Sequence, residues 1–520
     1  MKDKGIESFW EKYSSKNIFT KHYGDLNPTL KSLVNIIKEY NYTESNHYTL
    51  LKADAYANKT LVDDGENIFK TIFNFKIDSE VMYKLFIPYL VEKMIVYSNQ
   101  KGKQNLIEES LPKLHNIFNS LSNIDFKDGE DLIKKIGFLY SYEQMKVQEN
   151  TRLGEYIARI IELYKPYPKV NTFLEKRIGL KLEKLVILHW LVFAFITRSN
   201  KTTGYFSITQ LKEALNKSED FKSISSEDID NFLSYYLISL KGFREYYFFI
   251  RTDIKTGKLF KYDRMTKVDR FMPKVSQWFP LIKYEDNKDI MCLTSYTSLV
   301  ESLKFERLYS FIIEKNDDKD FKSKIHGPAV NNYIKNYVRR YLKDNAKIYG
   351  DESYFIKREQ FEAPDIIIEF ESFVIIVEAK SSPFNMIAAI TSLDTYDFNE
   401  IKRDIKKSER NINRYLQNKN AFDAKKVFRM ICYFFEHPDM LASLDERSDL
   451  NRIIITDIKS IEHLVRIKNE SLDVVLENFL NAKAGLLISS LKQYCTYNYG
   501  TQMLNLEEHF SINKYFKKVL

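Results

Sequence analysis

The sequence predicts a multidomain protein with a large all-α N-terminal region, a small α/β middle and a C-terminal α/β domain on a mixed sheet. Three observations point there. Helical periodicity runs almost unbroken over residues 1–200; capped helices and an aromatic, β-prone stretch replace it over 201–299; and strand-like runs bracket one amphipathic helix over 300–465. Helical patterning then returns as a tail over 466–520. Size agrees with several domains, since 520 residues with 44% hydrophobic and 14% aromatic content exceed one ordinary core.

Composition removes whole classes. Only 15 Gly and 11 Pro occur, which excludes collagen-like and linker-rich chains. The charged fraction is 29% and nearly balanced, unlike a disordered chain. Cys292, Cys432 and Cys495 lie far apart with no Cys-x-x-Cys spacing, which suits a reducing cytoplasm and gives no cysteine zinc site. The opening Met-Lys-Asp-Lys lacks the apolar core of a signal peptide. The longest apolar run, Leu185 to Ile196, is interrupted by His189 and is shorter than the roughly 20 residues of a membrane span. A cytoplasmic protein without a membrane partner is expected.

In the N-terminal region the spacing predicts helices over 27–40, 79–97, 105–121, 128–142, 151–164 and 171–197. Such a region suits sensing, recognition or assembly, either between copies of the chain or with a partner protein. In the middle, Ser207 is placed to cap a helix through Asn216, and Ser225-Ser226-Glu227-Asp228 to start one running to about Leu240. The aromatic run from Tyr246 to Arg251, with a Lys255–Lys258 turn, reads as a hairpin. Two helices and a hairpin fit a winged-helix-like module or a plain α+β connector.

From residue 300 onward helices are expected over 301–314 and 331–343, and strands over 347–356, 365–370, 373–380, 427–436 and 452–456. Net charge is +8, yet the segment 401–430 alone holds ten basic and three acidic residues. Ile401, Ile405, Ile412 and Leu416 share one face of a helix there. Arg403, Lys407, Arg410 and Arg414 share the other. That basic face is either a solvated surface or a ridge that tracks nucleic-acid phosphates.

Just upstream, Ala363-Pro364-Asp365 opens the apolar run Ile366–Phe370, and after Glu371-Ser372 the run Phe373–Val377 leads into Glu378-Ala379-Lys380. If the hairpin loop is two residues, Phe370 faces Phe373, Ile366 faces Val377 and Asp365 faces Glu378; a four-residue loop keeps that parity and a three-residue loop breaks it. Opposed residues lie roughly 5 Å apart with side chains on one face, and Lys380 joins them by alternation. Ile, Val and Phe on both faces predict strands buried on both sides. Buried paired carboxylates call for a compensating cation. Two hard oxygen ligands suit Mg²⁺ or Mn²⁺, which keep open positions for water and phosphate. Lys380 is then placed to activate water or to stabilise charge on phosphorus. The bland alternative is a salt-bridged strand end.

Pro364-Asp365 followed by Glu378-Ala379-Lys380 resembles the signature of the PD-(D/E)XK, or restriction-endonuclease-like, nuclease superfamily, over about residues 320 to 460. The resemblance implies a restriction-endonuclease-like fold and phosphodiester hydrolysis, with Asp365 and Glu378 as metal ligands and Lys380 assisting the nucleophile. One departure stands out. Where many members carry a glutamate on the first core helix, this chain has Asn331 or Asn332, neutral and weaker ligands, which argues against a second metal unless Glu314, Glu352 or Glu362 reaches in. His326, just before Gly327, is expected to cap that helix or face solvent, with a phosphate contact as the alternative.

No His-x-x-x-His, Walker A, Gly-x-Gly-x-x-Gly or Gly-x-Ser-x-Gly pattern occurs, so zinc hydrolase, ATPase, dinucleotide and serine-hydrolase readings drop out. The expectation is a DNA endonuclease of bacterial anti-phage defence or restriction, with RNA left open as substrate. A repair or recombination nuclease, and an inactive nucleic-acid-binding scaffold that keeps the fold, are the alternatives.

Overall fold

The computed structural model describes residues 28–40, 50, 80–98, 110, 113–114, 117, 153–198, 205–217, 223–251, 275–283, 287–302, 321–381, 399–418, 422, 424–434, 453–484 and 490–501. Up to Arg198 it is built from α1 (Pro28–Lys38), α2 (Glu80–Tyr97), α3 (Leu153–Tyr164), α4 (Pro168–Ile178) and α5 (Leu182–Arg198). The helix expected over 171–197 is two. Gly179 adopts φ +71° and ends α4, its N–H donating to the Glu175 carbonyl, a closure that L side chains resist. The helix expected over 128–142, and most of that over 105–121, lie outside the described residues. Among those described, no helix is long and apolar enough to cross a membrane.

The middle holds β1 (Tyr205–Ser207), α6 (Ile208–Asn216), α7 (Ser226–Tyr236), β2 (Leu237–Ser239), α8 (Leu240–Phe249), β3 (Leu281–Lys283), β4 (Ile290–Leu293) and α9 (Tyr296–Glu301). Its strands pair in the order β1-β4-β3-β2, with β2 and β3 parallel and the other pairs antiparallel. Ser207 caps α6 as expected; α7 starts where expected, capped by Ser225 in a reciprocal box with Asp228, but ends at Tyr236 where β2 begins. The aromatic run from Tyr246 is a correction: it is the end of helix α8, not a strand. Ser239 caps that helix by accepting from the Gly242 N–H, and Phe243 and Tyr247, one turn apart, are both buried in a core shared with α1 and α2. Helical burial overrides the strand preference of Tyr and Phe. The Lys255–Lys258 turn, and the expected helix beyond Ser302, lie outside the described residues.

After α10 (Gly327–Leu342) come β5 (Lys347–Tyr349), β6 (Ser353–Ile356), β7 (Glu359–Glu362), β8 (Ile366–Glu369), β9 (Phe373–Lys380), α11 (Asn399–Asn418), β10 (Lys426–Tyr433), β11 (Ile453–Asp457), α12 (Ile458–Leu464), α13 (Leu472–Ala484) and α14 (Leu491–Tyr499). A mixed sheet runs in the order β11-β10-β9-β8-β5. Its β9, β10 and β11 are parallel, and β5 and β8 antiparallel to their neighbours. The single strand expected over 347–356 is broken at Gly350-Asp351, where φ reaches +136° and +61°. β5 stays in the sheet, and β6 leaves it to pair with β7.

Alternation divides the sheet cleanly between its two faces. Ile366, Ile368, Phe373, Ile375 and Val377 enter the large core that also holds Val330, Ile334 and Val338 of α10 and Ile458 and Ile461 of α12. Ile367, Val374 and Ile376 enter a second cluster with Ile412 and Tyr415 of α11. Both faces are thus covered, as strands this uniformly apolar require. Helix α11 lies in the stretch that links parallel β9 and β10, which cannot be joined by a tight turn.

Candidate active site

The β8–β9 register is Ile366 to Val377, Ile367 to Ile376, Ile368 to Ile375 and Glu369 to Val374. The loop is the two residues Glu371-Ser372: the Phe370 N–H donates to the Phe373 carbonyl at 2.9 Å, and the two rings stack with centroids 4.2 Å apart. One step beyond Ile366–Val377, Asp365 stands opposite Glu378. By parity both carboxylates, and Lys380 two residues on, lie on the α11 side of the sheet.

Each carboxylate is held at defined atoms. Asp365 accepts from Asn331 Nδ2 on Oδ1 at 2.8 Å and from the Ala379 N–H on Oδ2 at 2.7 Å. Glu378, 6% exposed, accepts from Asn411 Nδ2 on Oε1 at 2.5 Å, and Lys380 Nζ lies 3.8 Å from its Oε2. Burial, and then the Asp365 charge, push the Glu378 carboxyl up to about 7, against the pull of Lys380 and Asn411. Burial raises Asp365 too, reinforced by Asp351 and opposed by Ala379, Asn331 and Lys380. Two carboxylates so placed, both raised by burial and one raised further by the other's charge, favour a cation between them.

Among the described residues, no group of three or more His, Cys, Asp or Glu side chains converges as a metal site. The donor set is therefore Asp365 and Glu378. Two hard oxygen donors with their remaining valences open fit a small divalent cation that retains water or phosphate ligands. Asn331, on α10, is the asparagine that faces this set; Asn332 donates instead to the Tyr167 hydroxyl at 2.8 Å. Glu314 lies outside the described residues. Glu352 and Glu362 are exposed.

Asp351 is the acid that sequence reasoning missed. It sits at the break between β5 and β6 and ion-pairs with Lys335, one turn beyond Asn331 on α10. Its N–H donates to the Pro364 carbonyl at 3.2 Å, and the Ala363 N–H donates to the Glu352 carbonyl at 2.8 Å. Gly350 packs so closely here that a Cβ would lie 2.4 Å from the Asp365 carbonyl oxygen. The Gly-Asp turn signal was visible in the sequence; its closeness to Asp365 follows only from the fold.

Asn411 was missed as well, and it orients the basic helix. Ile405, Ile412 and Tyr415 of α11 are buried and Leu416 is half-buried; the side chain of Ile401 lies outside the described residues. At about 100° per residue, Lys407 and Arg414 lie within roughly 60° of Asn411 around the axis, and Arg403 and Arg410 within roughly 100°. Because Asn411 reaches Glu378, this cationic stripe rises beside the carboxylates. Arg403, Lys407 and Arg410 are exposed, while Arg414 is half-buried with its guanidinium 4.6 Å above the Phe361 ring.

His326 is a further correction. It is fully buried and provides no side-chain cap. Its Nε2 lies 2.9 Å from the Ser381 carbonyl and its Nδ1 3.2 Å from the Tyr164 hydroxyl. It ties α3, the start of α10 and the end of β9 together.

No protein family, curated protein or solved structure matches this chain.

Proposed function

We propose that the chain is a metal-dependent nuclease of PD-(D/E)XK type that hydrolyses phosphodiester bonds, with DNA as its substrate and RNA as the variant to be tested beside it. The observation that carries this reading is the Asp365–Glu378–Lys380 cluster where β8 begins and β9 ends, inside the sheet, with the stripe Arg403, Lys407, Arg410 and Arg414 on the same side. Asp365 and Glu378 would hold Mg²⁺ or Mn²⁺. When bound, such an ion polarises a phosphoryl oxygen and lowers the pKa of water.

The protein's own groups do the rest. The Ala379 N–H and Asn331 fix the plane of the Asp365 carboxylate, and Asn411 fixes that of Glu378, so neither ligand has to reorganise. The Lys380 ammonium, on the same face, stabilises negative charge that develops on the attacked phosphate. Lys407 and Arg410, exposed on the flank, take backbone phosphates and hold the strand in register. A role in bacterial anti-phage defence or restriction, or in repair, follows from the family resemblance, and the Lys-, Asn- and Ile-rich usage suits an AT-rich bacterial genome.

One observation favours a second reading. Asn331 donates to Asp365 from the helix where many nucleases of this type carry an acid, an arrangement that also suits a scaffold that binds nucleic acid without cutting it. A cleavage assay separates the two, using supercoiled plasmid, linear duplex, single-stranded DNA and RNA, with Mg²⁺ or Mn²⁺ and with EDTA. Asp365→Ala, Glu378→Ala and Lys380→Ala should each lower cutting by about a hundredfold or more. Wild-type cutting in the Asp365→Ala or Lys380→Ala protein removes the site assignment. No cutting by the wild type, together with no calorimetric Mg²⁺ binding, favours the scaffold.

A further inference from the structure

Between β5 and β8 the chain makes an excursion that the sheet does not need. Strands β6 and β7 pair only with each other among the described residues, Phe355 opposite Gln360 and Ile356 opposite Glu359, and the connecting turn is Lys357-Arg358. The inner face is anchored: Tyr354 meets the Tyr415 ring edge-on at 5.4 Å, and Phe361 lies under the Arg414 guanidinium. The hairpin therefore rests on α11 beside the cationic stripe. Its stem is clamped to the site by the Asp351–Pro364 and Glu352–Ala363 backbone bonds.

The outer face bears Phe355, 67% exposed. Among the described residues only Tyr497 is a more exposed large apolar side chain. At the turn, Lys357 holds φ +58°, a conformation for which hairpins prefer glycine or asparagine. The turn thus keeps two exposed cations at the cost of backbone ease. Glu359 lies on the inner face by alternation, away from Phe355.

We propose that this hairpin is a nucleic-acid contact in which Phe355 stacks on an unpaired base while Lys357 and Arg358 take the flanking phosphates. The inference rests on the nucleic-acid reading given above. One exposed ring buries too little area for a stable protein interface, which needs about 800 Å² per partner, whereas a single ring suffices to stack on a base. Ring faces inside a duplex are already covered by neighbouring base pairs, so the base has to be unpaired. Asp365 follows Gln360, opposite Phe355, by five residues, at most roughly 17 Å of extended chain. At about 3.4 Å per nucleotide, the stacked base lies within about five nucleotides of the phosphate at the carboxylates.

The test measures binding by fluorescence anisotropy with the full chain in EDTA, which prevents cutting. The probes are a single-stranded oligonucleotide, a perfect duplex and the same duplex with a one-base bulge. Phe355→Ala should weaken the single-stranded and bulged probes about tenfold or more and leave the perfect duplex within about twofold. Phe355→Trp should restore both. An unchanged melting temperature for Phe355→Ala shows that the loss is local. Equal loss on all three probes, or no loss on any, overturns the inference. If the wild type binds no probe, the hairpin contact falls, and the nuclease reading falls with it only if no probe is cut with Mg²⁺ or Mn²⁺ either. If Phe355→Ala behaves as expected and no probe is cut with Mg²⁺ or Mn²⁺, the contact stands and the nuclease reading alone falls.

Discussion

Glu378 is where burial and charge conflict most directly. Its carboxyl is pushed up to about 7 by burial and by Asp365, while in the unfolded chain a glutamate titrates near 4.3. The folded protein therefore keeps a proton that the unfolded chain releases. The resulting stabilisation is complete below the unfolded value and is lost as pH rises through about 7. Its size is on the order of 3 kcal/mol. Metal-free wild type should lose that much stability between pH 4.5 and 8 relative to Glu378→Gln, read from denaturant midpoints at each pH in EDTA. Parallel pH profiles for the two proteins would refute the assignment. Asp365 and Glu378 were legible in the sequence because a two-residue loop fixes strand register, and register fixes facing pairs. Asn411 and Asp351 were not, because they meet the carboxylates through the docking of a helix and the path of a turn.

At the scale of elements, α11 does two jobs with two faces. Ile412, Tyr415 and Leu416 close one side of the sheet, and the stripe from Lys407 to Arg414 rises beside the carboxylates. Reversing Lys407 and Arg410 to Glu leaves the buried face intact, so the fold should survive. The slope of log affinity against log salt should then fall by roughly one for each lost duplex phosphate contact, measured by DNA titrations at several salt concentrations. An unchanged slope would move the phosphate path off this helix. The amphipathic period of α11 was readable because one face is apolar throughout. The aromatic run of α8 was misread for a related reason: Tyr and Phe favour strands locally, and only the core they enter with α1 and α2 selects the helix. β6 was merged with β5, and β7 escaped notice, because the break at Gly350-Asp351 lies inside what scans as one continuous strand.

At the scale of the molecule, one hydrophobic core runs from Ile157 to Cys495 and includes residues of the four-stranded and the five-stranded sheets. At its centre Arg159 of α3 makes a two-pronged contact with Glu462 of α12, at 2.8 and 2.7 Å. The Tyr333 hydroxyl of α10 donates to the same carboxylate at 2.7 Å. Burial would raise Glu462, but Arg159 and then Tyr333 hold it below its ordinary value. Arg159→Met should destabilise the protein by about 3–5 kcal/mol because it strands a buried charge. The double change Arg159→Met with Glu462→Leu should cost clearly less, and denaturation of the four proteins of the cycle gives the coupling. Additive losses would mean the pair is not coupled. Nothing in the local sequence marks this pair, whose members lie 303 residues apart.

That separation also bears on how the protein is made. At about 5–20 residues per second of synthesis, Arg159 emerges roughly 15 to 60 seconds before the glutamate that neutralises it. The hairpin bearing Asp365 and Glu378 appears in between, made of neighbours that find each other unaided. Until residue 462 arrives, a nascent chain carries its paired carboxylates on a sheet whose α12 flank is still missing. Messages that stop short of that residue yield chains with every signature residue in place and no means of seating Arg159.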